Sequence, residues 1–266
     1  MMYQTINYTV ADGVATITFN RPDQLNAMNR QLMEELIHAV TRLDGDANAR
    51  VGVLTGAGRA FMAGADLKAY ARQTEEEFES FQILGRGLYA AIEGNRKPVI
   101  AAVNGHALGG GLEIALACDL IVAAAGAKLG LPEILLNLIP GGGGTQRLPR
   151  KLGLMRANEL LFTGRLATAE EMHAWGVVSY VYARETFAAD AWAFALTVAE
   201  KSPAALRVLK QLTQLAAGAF NPAAQALENE ALGRFYRTPE AKERLEHFLA
   251  QSEARKAAKA DAGGGR

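Results

Sequence analysis

The stretch NGHALGGGLEIALACD (104–119) sets the plan of the chain. Three successive glycines, Gly109 to Gly111, open onto an apolar run from Leu112 to Ala117. Glycine gives a turn without a Cβ, and the run behind it has the make-up of a short buried helix. Just upstream, PVIAAV (98–103) is a continuous apolar run of strand length. Strand, glycine turn and helix in that order argue for an α/β fold with largely parallel pairing. Glu113 stands inside the helical run, where an unpaired carboxylate would be costly. Further on, LPEILLNLIPGGGGTQRL (131–148) sets Glu133 in a second apolar run, Leu129 to Ile139, and then supplies four glycines.

The same alternation extends outward. Residues 3–10 and 13–19 alternate around Asp12-Gly13, which predicts a hairpin. Leu32, Leu36, Val40 and Leu43 recur at helical spacing, and Val51 to Thr55 is a short buried strand that runs into the glycine loop GAGRAFMAGADLKAY. Thr74 with Glu77 fits a capping box, followed by Phe78, Phe81, Leu84, Leu88 and Ile92 on one face. Strands are expected at 98–103, 119–124 and 177–182, and a second capping box at Thr168 with Glu171. From about residue 185 the chain turns helical. Ser202-Pro203, Asn221-Pro222 and Thr238-Pro239 each set a cap residue before a first-turn proline. The division expected is a core over 1–195, a helical region over 196–252 and a fraying low-complexity tail over 253–266. No internal repeat is visible.

Composition narrows the function. Lys+Arg and Asp+Glu cancel at 28 each, so no net charge draws the chain to nucleic acid or an anionic membrane. Lone Cys118 excludes an internal disulfide framework and reads as a small buried hydrophobe. MMYQTINYTV lacks a secretory signal, and the apolar runs are too short to span a bilayer, so a cytoplasmic location is expected. The glycine loops match neither G-x-G-x-x-G nor G-x-x-x-x-G-K-[ST]. None of Ser80, Ser179, Ser202 and Ser252 lies in a G-x-S-x-G elbow. The 4 histidines form no H-E-x-x-H, so no metal site is expected, and His106 is left a structural role.

What remains is glycine with glutamate. In the first turn of a helix the Gly110 N–H has no intrahelical partner and lies at the positive end of the dipole. Ala63-Gly64-Ala65 offers a second such N–H, and two converging donors make an oxyanion hole, each worth ~3 kcal/mol to a developing oxyanion. Glu113 lies one turn beyond Gly110, about 5 Å along the axis. Two neighbouring carboxylates drive one pKa up, leaving an acid and a base near neutral pH that can hold a water between them. Singly, Glu113 paired to Arg147 or Glu133 capping a helix would be ordinary structure. The combination points to catalysis.

On NRPDQLNAMN (20–29), GAGRAFMAGADLK (56–68), KPVIAAVNGHALGGGLEIALACD (97–119) and LPEILLNLIPGGGGTQRL (131–148), the chain resembles the enoyl-CoA hydratase/isomerase (crotonase) superfamily from about Tyr8 to about Ala250. The resemblance implies a spiral of repeated ββα units with C-terminal helices that build homotrimers, often paired into hexamers. It implies a CoA-thioester substrate, no separate cofactor, and a place in fatty acid metabolism such as β-oxidation. Ala63 and Gly110 would supply the oxyanion N–H groups, Glu113 would activate water, and Glu133 would protonate C2. Leu25, Ala27, Ala63, Ala65, Asp66 and Leu67 would line the CoA groove, with Gly110 at the thioester and Gly141 near the acyl pocket. Arg21, Arg59 and Lys68 are basic candidates for the phosphates.

With both glutamates present, the resemblance favours hydration of a 2-enoyl-CoA to a 3-hydroxyacyl-CoA. The alternatives are a double-bond isomerase, a specialised hydratase of an aromatic or branched acyl-CoA, or a non-catalytic CoA- or RNA-binding relative. The chain departs from the pattern at Met62 where a small residue is usual, at Asn137 where glycine is common, and at Gly142 where alanine is common.

Overall fold

The computed structural model describes residues 2–216, 229–230, 232–234 and 236–263. The helix start expected at Asn221-Pro222 lies outside the described residues, as does the Leu212 side chain. The chain opens with the hairpin β1 (Ile6–Ala11) and β2 (Val14–Phe19), turned at Asp12 and Gly13, both with positive φ. Helix α1 (Arg30–Gly45) follows, capped by Asn29, whose side chain accepts from the Leu32 N–H.

Three turns of one unit then follow. The first is β3 (Val51–Gly56), β4 (Ala60–Met62), α2 (Leu67–Tyr70) and α3 (Glu75–Gly94). The second is β5 (Val99–Val103), β6 (His106–Leu108) and α4 (Gly110–Ala117). The third is β7 (Leu120–Ala124), β8 (Lys128–Gly130), a 3-10 turn over Pro132–Leu136, and α5 (Gly144–Leu152). This is the ββα spiral that the resemblance implies. The repeat is architectural, since what recurs is an apolar strand, a short second strand and a glycine loop, and not a string of residues. After α6 (Leu154–Thr163), β9 (Ala167–Thr168) and α7 (Ala169–Ala174), β10 (Tyr180–Tyr182) is the last strand. Helices α8 (Phe187–Ala199), α9 (Pro203–Ala216) and a C-terminal helix (Pro239–Gly263) follow.

First strands of the units form one sheet in the order β1-β2-β3-β5-β7-β10, parallel except for the hairpin. Second strands form another, β4-β6-β8-β9. The central strands β3, β5 and β7 of the large sheet are buried on both faces, as parallel pairing requires. Along β5, Val99, Ala101 and Val103 join the main core, while Ile100 and Ala102 point to the other side, where Phe187, Ala191, Ala195 and Ala199 of α8 cover them. A division at 195–196 therefore falls inside a helix that is a layer of the core. Residues 253–263, expected to fray, continue the C-terminal helix.

Candidate active site

The site lies where the second strands end. Gly109 caps α4 at φ 52°, a conformation that favours glycine, and a Cβ on Gly111 would overlap the Met62 carbonyl. These glycines bring α4 hard against β4. Glu113 in its first turn is 3% exposed. Its Oε1 accepts from the Gly142 N–H at 2.8 Å and the Gly144 N–H at 2.9 Å, and the Tyr89 hydroxyl lies 3.4 Å from Oε2. Burial pushes this carboxyl above its ordinary value, against the pull of the Gly144 and Gly142 amides, the Arg147 charge and Tyr89. Arg147 itself forms a bidentate pair with Glu93, at 2.7 and 2.8 Å, and donates to the Gly142 carbonyl. It acts on Glu113 through its field and through the glycine loop that it braces.

Glu133 lies in the first turn of the 3-10 segment, whose N-cap is Leu131, so it is not a helix cap. Its carboxylate rests against the glycine turn: a Cβ on Gly109 would come 2.9 Å from Glu133 Oε1. Glu113 and Glu133 line one cavity of about 490 Å³, otherwise walled mainly by Met28, Met33, Phe81, Leu136 and Ile139. Both act on Tyr70, whose phenol is raised by burial first and then by Tyr236, Glu133 and Glu113.

The Ala63 N–H, expected as an oxyanion donor, is committed elsewhere: it donates to the Leu25 carbonyl at 3.1 Å. The N–H on this loop that is left without a described acceptor is two residues further on. Met28 donates to Gly64 O at 2.8 Å and accepts from the Asp66 N–H at 2.9 Å, which sets Met28 opposite Ala65 in an isolated parallel bridge. In such a bridge the N–H of the facing residue points the other way. Ala65 lines the cavity, and no described acceptor takes its N–H or that of Gly110. The loops abut, because a Cβ on Gly109 would lie 3.7 Å from Gly64 Cα.

Of the other expected groove residues, Ala63, Leu67 and Gly141 line the cavity, and Leu25, Ala27 and Asp66 do not. Arg21 ties the last two together, donating to Ala27 O and pairing with Asp66 at 3.0 Å, so it is engaged within the loop. Asp66 faces an adjoining groove that shares Met28, Tyr70 and Phe81 with the main cavity. Lys68 pairs with Glu253 of the C-terminal helix at 3.5 Å. Met62 is fully buried and does not line the cavity. Asn137 has φ 56°, a left-handed position that asparagine tolerates best after glycine. Sequence reading missed Tyr89, the Gly142 and Gly144 amides, and Arg244, His247, Phe248 and Gln251, which bring the C-terminal helix to the cavity. A signal for Tyr89 was there, since it follows Phe81 and Gly85 at helical spacing. Among the described residues no metal-binding cluster is gathered, and no helix is long and apolar enough to cross a membrane.

An α/β spiral that sets carboxylates beside uncommitted main-chain amides in an apolar cavity has the plan of a carbonyl-polarising enzyme. Comparison with known proteins gives the particular family. The family model described as enoyl-CoA hydratase/isomerase matches residues 9–258. The chain is 37% identical to the short-chain-enoyl-CoA hydratase of Clostridium acetobutylicum over 89% of its length and 91% of that protein. It is 36% identical to the crotonyl-CoA hydratase of Syntrophomonas wolfei over 96% of its length and 98% of that protein. The crystal structure of an enoyl-CoA hydratase from Bacillus anthracis superposes with a TM-score of 0.79 at 38% identity, over 97% of each chain. The chain belongs to the enoyl-CoA hydratase/isomerase (crotonase) family of enzymes.

Proposed function

We propose that this chain is an enoyl-CoA hydratase, adding water across the double bond of a 2-enoyl-CoA. The observation that carries this reading is that Glu113 and Glu133 line the same cavity as the Ala65 and Gly110 amides. The thioester oxygen accepts from those two N–H groups. Glu113 takes a proton from water as its oxygen bonds to C3, and the electrons of the double bond move onto the thioester oxygen. The resulting enolate collapses as Glu133 delivers a proton to C2, and the proton that Glu113 took from water passes to Glu133 to reset the pair. Atoms balance as substrate plus one water. The donors act where charge develops, away from bulk solvent, and so favour the transition state over the ground state.

An isomerase needs only one carboxylate to move a proton. A second acidic group on the same cavity favours hydration. The proposed substrate is an acyl-CoA thioester, with no separate cofactor and a cytoplasmic location. Self-association to a trimer or hexamer would cover the exposed Leu135, Leu154, Met155 and Phe162. Sedimentation equilibrium tests that part; a monomer at micromolar concentration counts against it.

The activity is tested with crotonyl-CoA and a 3-enoyl-CoA in parallel. Glu113→Gln and Glu133→Gln are each expected to cut kcat at least ~100-fold with CoA binding retained, the scale of losing a general acid or base. Full hydration by either variant would overturn the assignment. Preferred turnover of the 3-enoyl thioester would replace it with isomerisation.

A further inference from the structure

The two oxygens of the Glu113 carboxylate are held unequally. Oε1 accepts two main-chain N–H groups, from Gly142 and Gly144, which fill its two lone-pair directions. Oε2 is therefore the oxygen left to handle a proton. The group beside it is the Tyr89 hydroxyl, 3.4 Å away on a side chain 3% exposed. That distance is long for an O–H···O bond, but catalytic hydrogen bonds commonly tighten only in the substrate complex.

The ring reaches this place because residue 142 is glycine. A Cβ there would overlap two carbons of the Tyr89 ring and also Glu113 Oε2, so the missing Cβ makes room for ring and carboxylate together. Gly142 has ordinary negative φ, so nothing in its own backbone demands glycine. The space demands it. Arg147 holds both partners: its guanidinium lies 5.4 Å from the Tyr89 ring centroid and donates to the Gly142 carbonyl. Glu93 fixes Arg147 from behind.

We propose that Tyr89 is a positioning residue for Glu113 and that Gly142 is its structural complement, the missing Cβ admitting the ring so that its hydroxyl orients Oε2 toward the cavity. The proposal rests on the reading of Glu113 as the base. One lone-pair direction of Oε2 goes to Tyr89 and the other is left to face the water that is activated. Arg147 and, through Arg147, Glu93 also bear on this carboxylate; Tyr70 feels both Glu113 and Glu133, and Arg244 and His247 line the same cavity from the C-terminal helix. Tyr89→Phe leaves all of these side chains in place.

The test is Tyr89→Phe, which keeps the ring. Donation by the hydroxyl favours the ionised carboxylate, so its loss raises the Glu113 pKa further. The acid limb of kcat/KM for crotonyl-CoA is then expected to move up by about half to one pH unit, with kcat down roughly threefold to tenfold and KM within about twofold. Gly142→Ala, whose Cβ meets both the ring and Glu113 Oε2, is expected to move the limb in the same direction and at least as far. A limb that stays put in Tyr89→Phe overturns the proposal. Glu113→Gln separates this from the underlying reading. Retained activity there overturns both together, whereas loss there with an unmoved Tyr89→Phe limb overturns the Tyr89 role alone. Thermal melting within a few degrees of wild type assigns the Tyr89→Phe effect to the site and not to the fold.

Discussion

At the scale of single residues, buried carboxylates in this chain are held by main-chain amides. Glu35, 2% exposed, accepts from the Gln4 and Thr5 N–H groups and the Thr5 hydroxyl, and pins the N-terminal segment to α1. Burial alone would raise its carboxyl, but Thr5, Gln4 and Gln31 outweigh it and hold the carboxyl below its ordinary value. A carboxyl depressed in the folded state adds stability above its unfolded pKa and loses it as pH falls through the folded one. Glu35→Gln is expected to cost about 1.5–3 kcal/mol at pH 7, the range for hydrogen bonds to a charged group. The gap to wild type should close below the ordinary carboxylate range, in urea melts taken across pH. An equal gap at pH 7 and pH 3 would refute this account. Glu113 is the opposite case, raised by burial, and so costs stability at neutral pH where Glu35 adds it. The residue scale is also where sequence reading erred. In AGA (63–65) either alanine offers an N–H. Which one faces the cavity depends on register with Met28, set by a bridge across 37 residues (65 minus 28) that no local pattern announces.

At the scale of elements, the first strand of each unit was legible because it is a continuous apolar run, and the helices because they carry caps and spacing. The second strands β4, β6 and β8 were not. Each is 3 residues long, shorter than a pattern of period 2 needs to declare itself. Sequence alone therefore yielded the parallel α/β plan but not the second sheet, which came only as an implication of family resemblance. Tethers between distant elements were equally silent. Lys210 on α9, with its side chain 6% exposed, donates to Asp119 at 2.8 Å and to the Lys97 carbonyl at 3.1 Å, fastening the helical extension to the chain just ahead of β5 and of β7. Burial raises the Asp119 carboxyl, and Lys210 pulls it back down. Lys210→Met would leave that carboxyl without its cation. Since Asp119 is 24% exposed, the expected cost lies below the full buried-pair range, at about 2–3 kcal/mol. Denaturant unfolding measures it, and a change under 0.5 kcal/mol would show the tether to be idle.

At the scale of the whole molecule, the spiral supplies most of the cavity lining and the C-terminal helix adds Arg244, His247, Phe248 and Gln251. Tyr236 fixes the approach to that helix, stacking on Phe78 at 4.1 Å and donating to the Tyr70 carbonyl at 2.7 Å. Ala241 and Leu245 are fully buried beyond it, and Phe248 and Gln251 reach the cavity one and two turns later. The Lys68–Glu253 pair also joins helix to core, but both side chains are more than half exposed, so little is expected of it. These observations rank the contacts. Phe248→Ala removes apolar wall near the substrate and leaves the carboxylates and amides alone. It is expected to raise KM for an enoyl-CoA about fivefold to tenfold with kcat held within twofold, matching ~1–1.4 kcal/mol of lost uniform binding. Glu253→Ala is expected to change neither constant. Steady-state kinetics on the two variants decides between a helix that works by covering the cavity and one merely tied across it. If Glu253→Ala raised KM and Phe248→Ala did not, the covering role would pass from the apolar face of the helix to its charges.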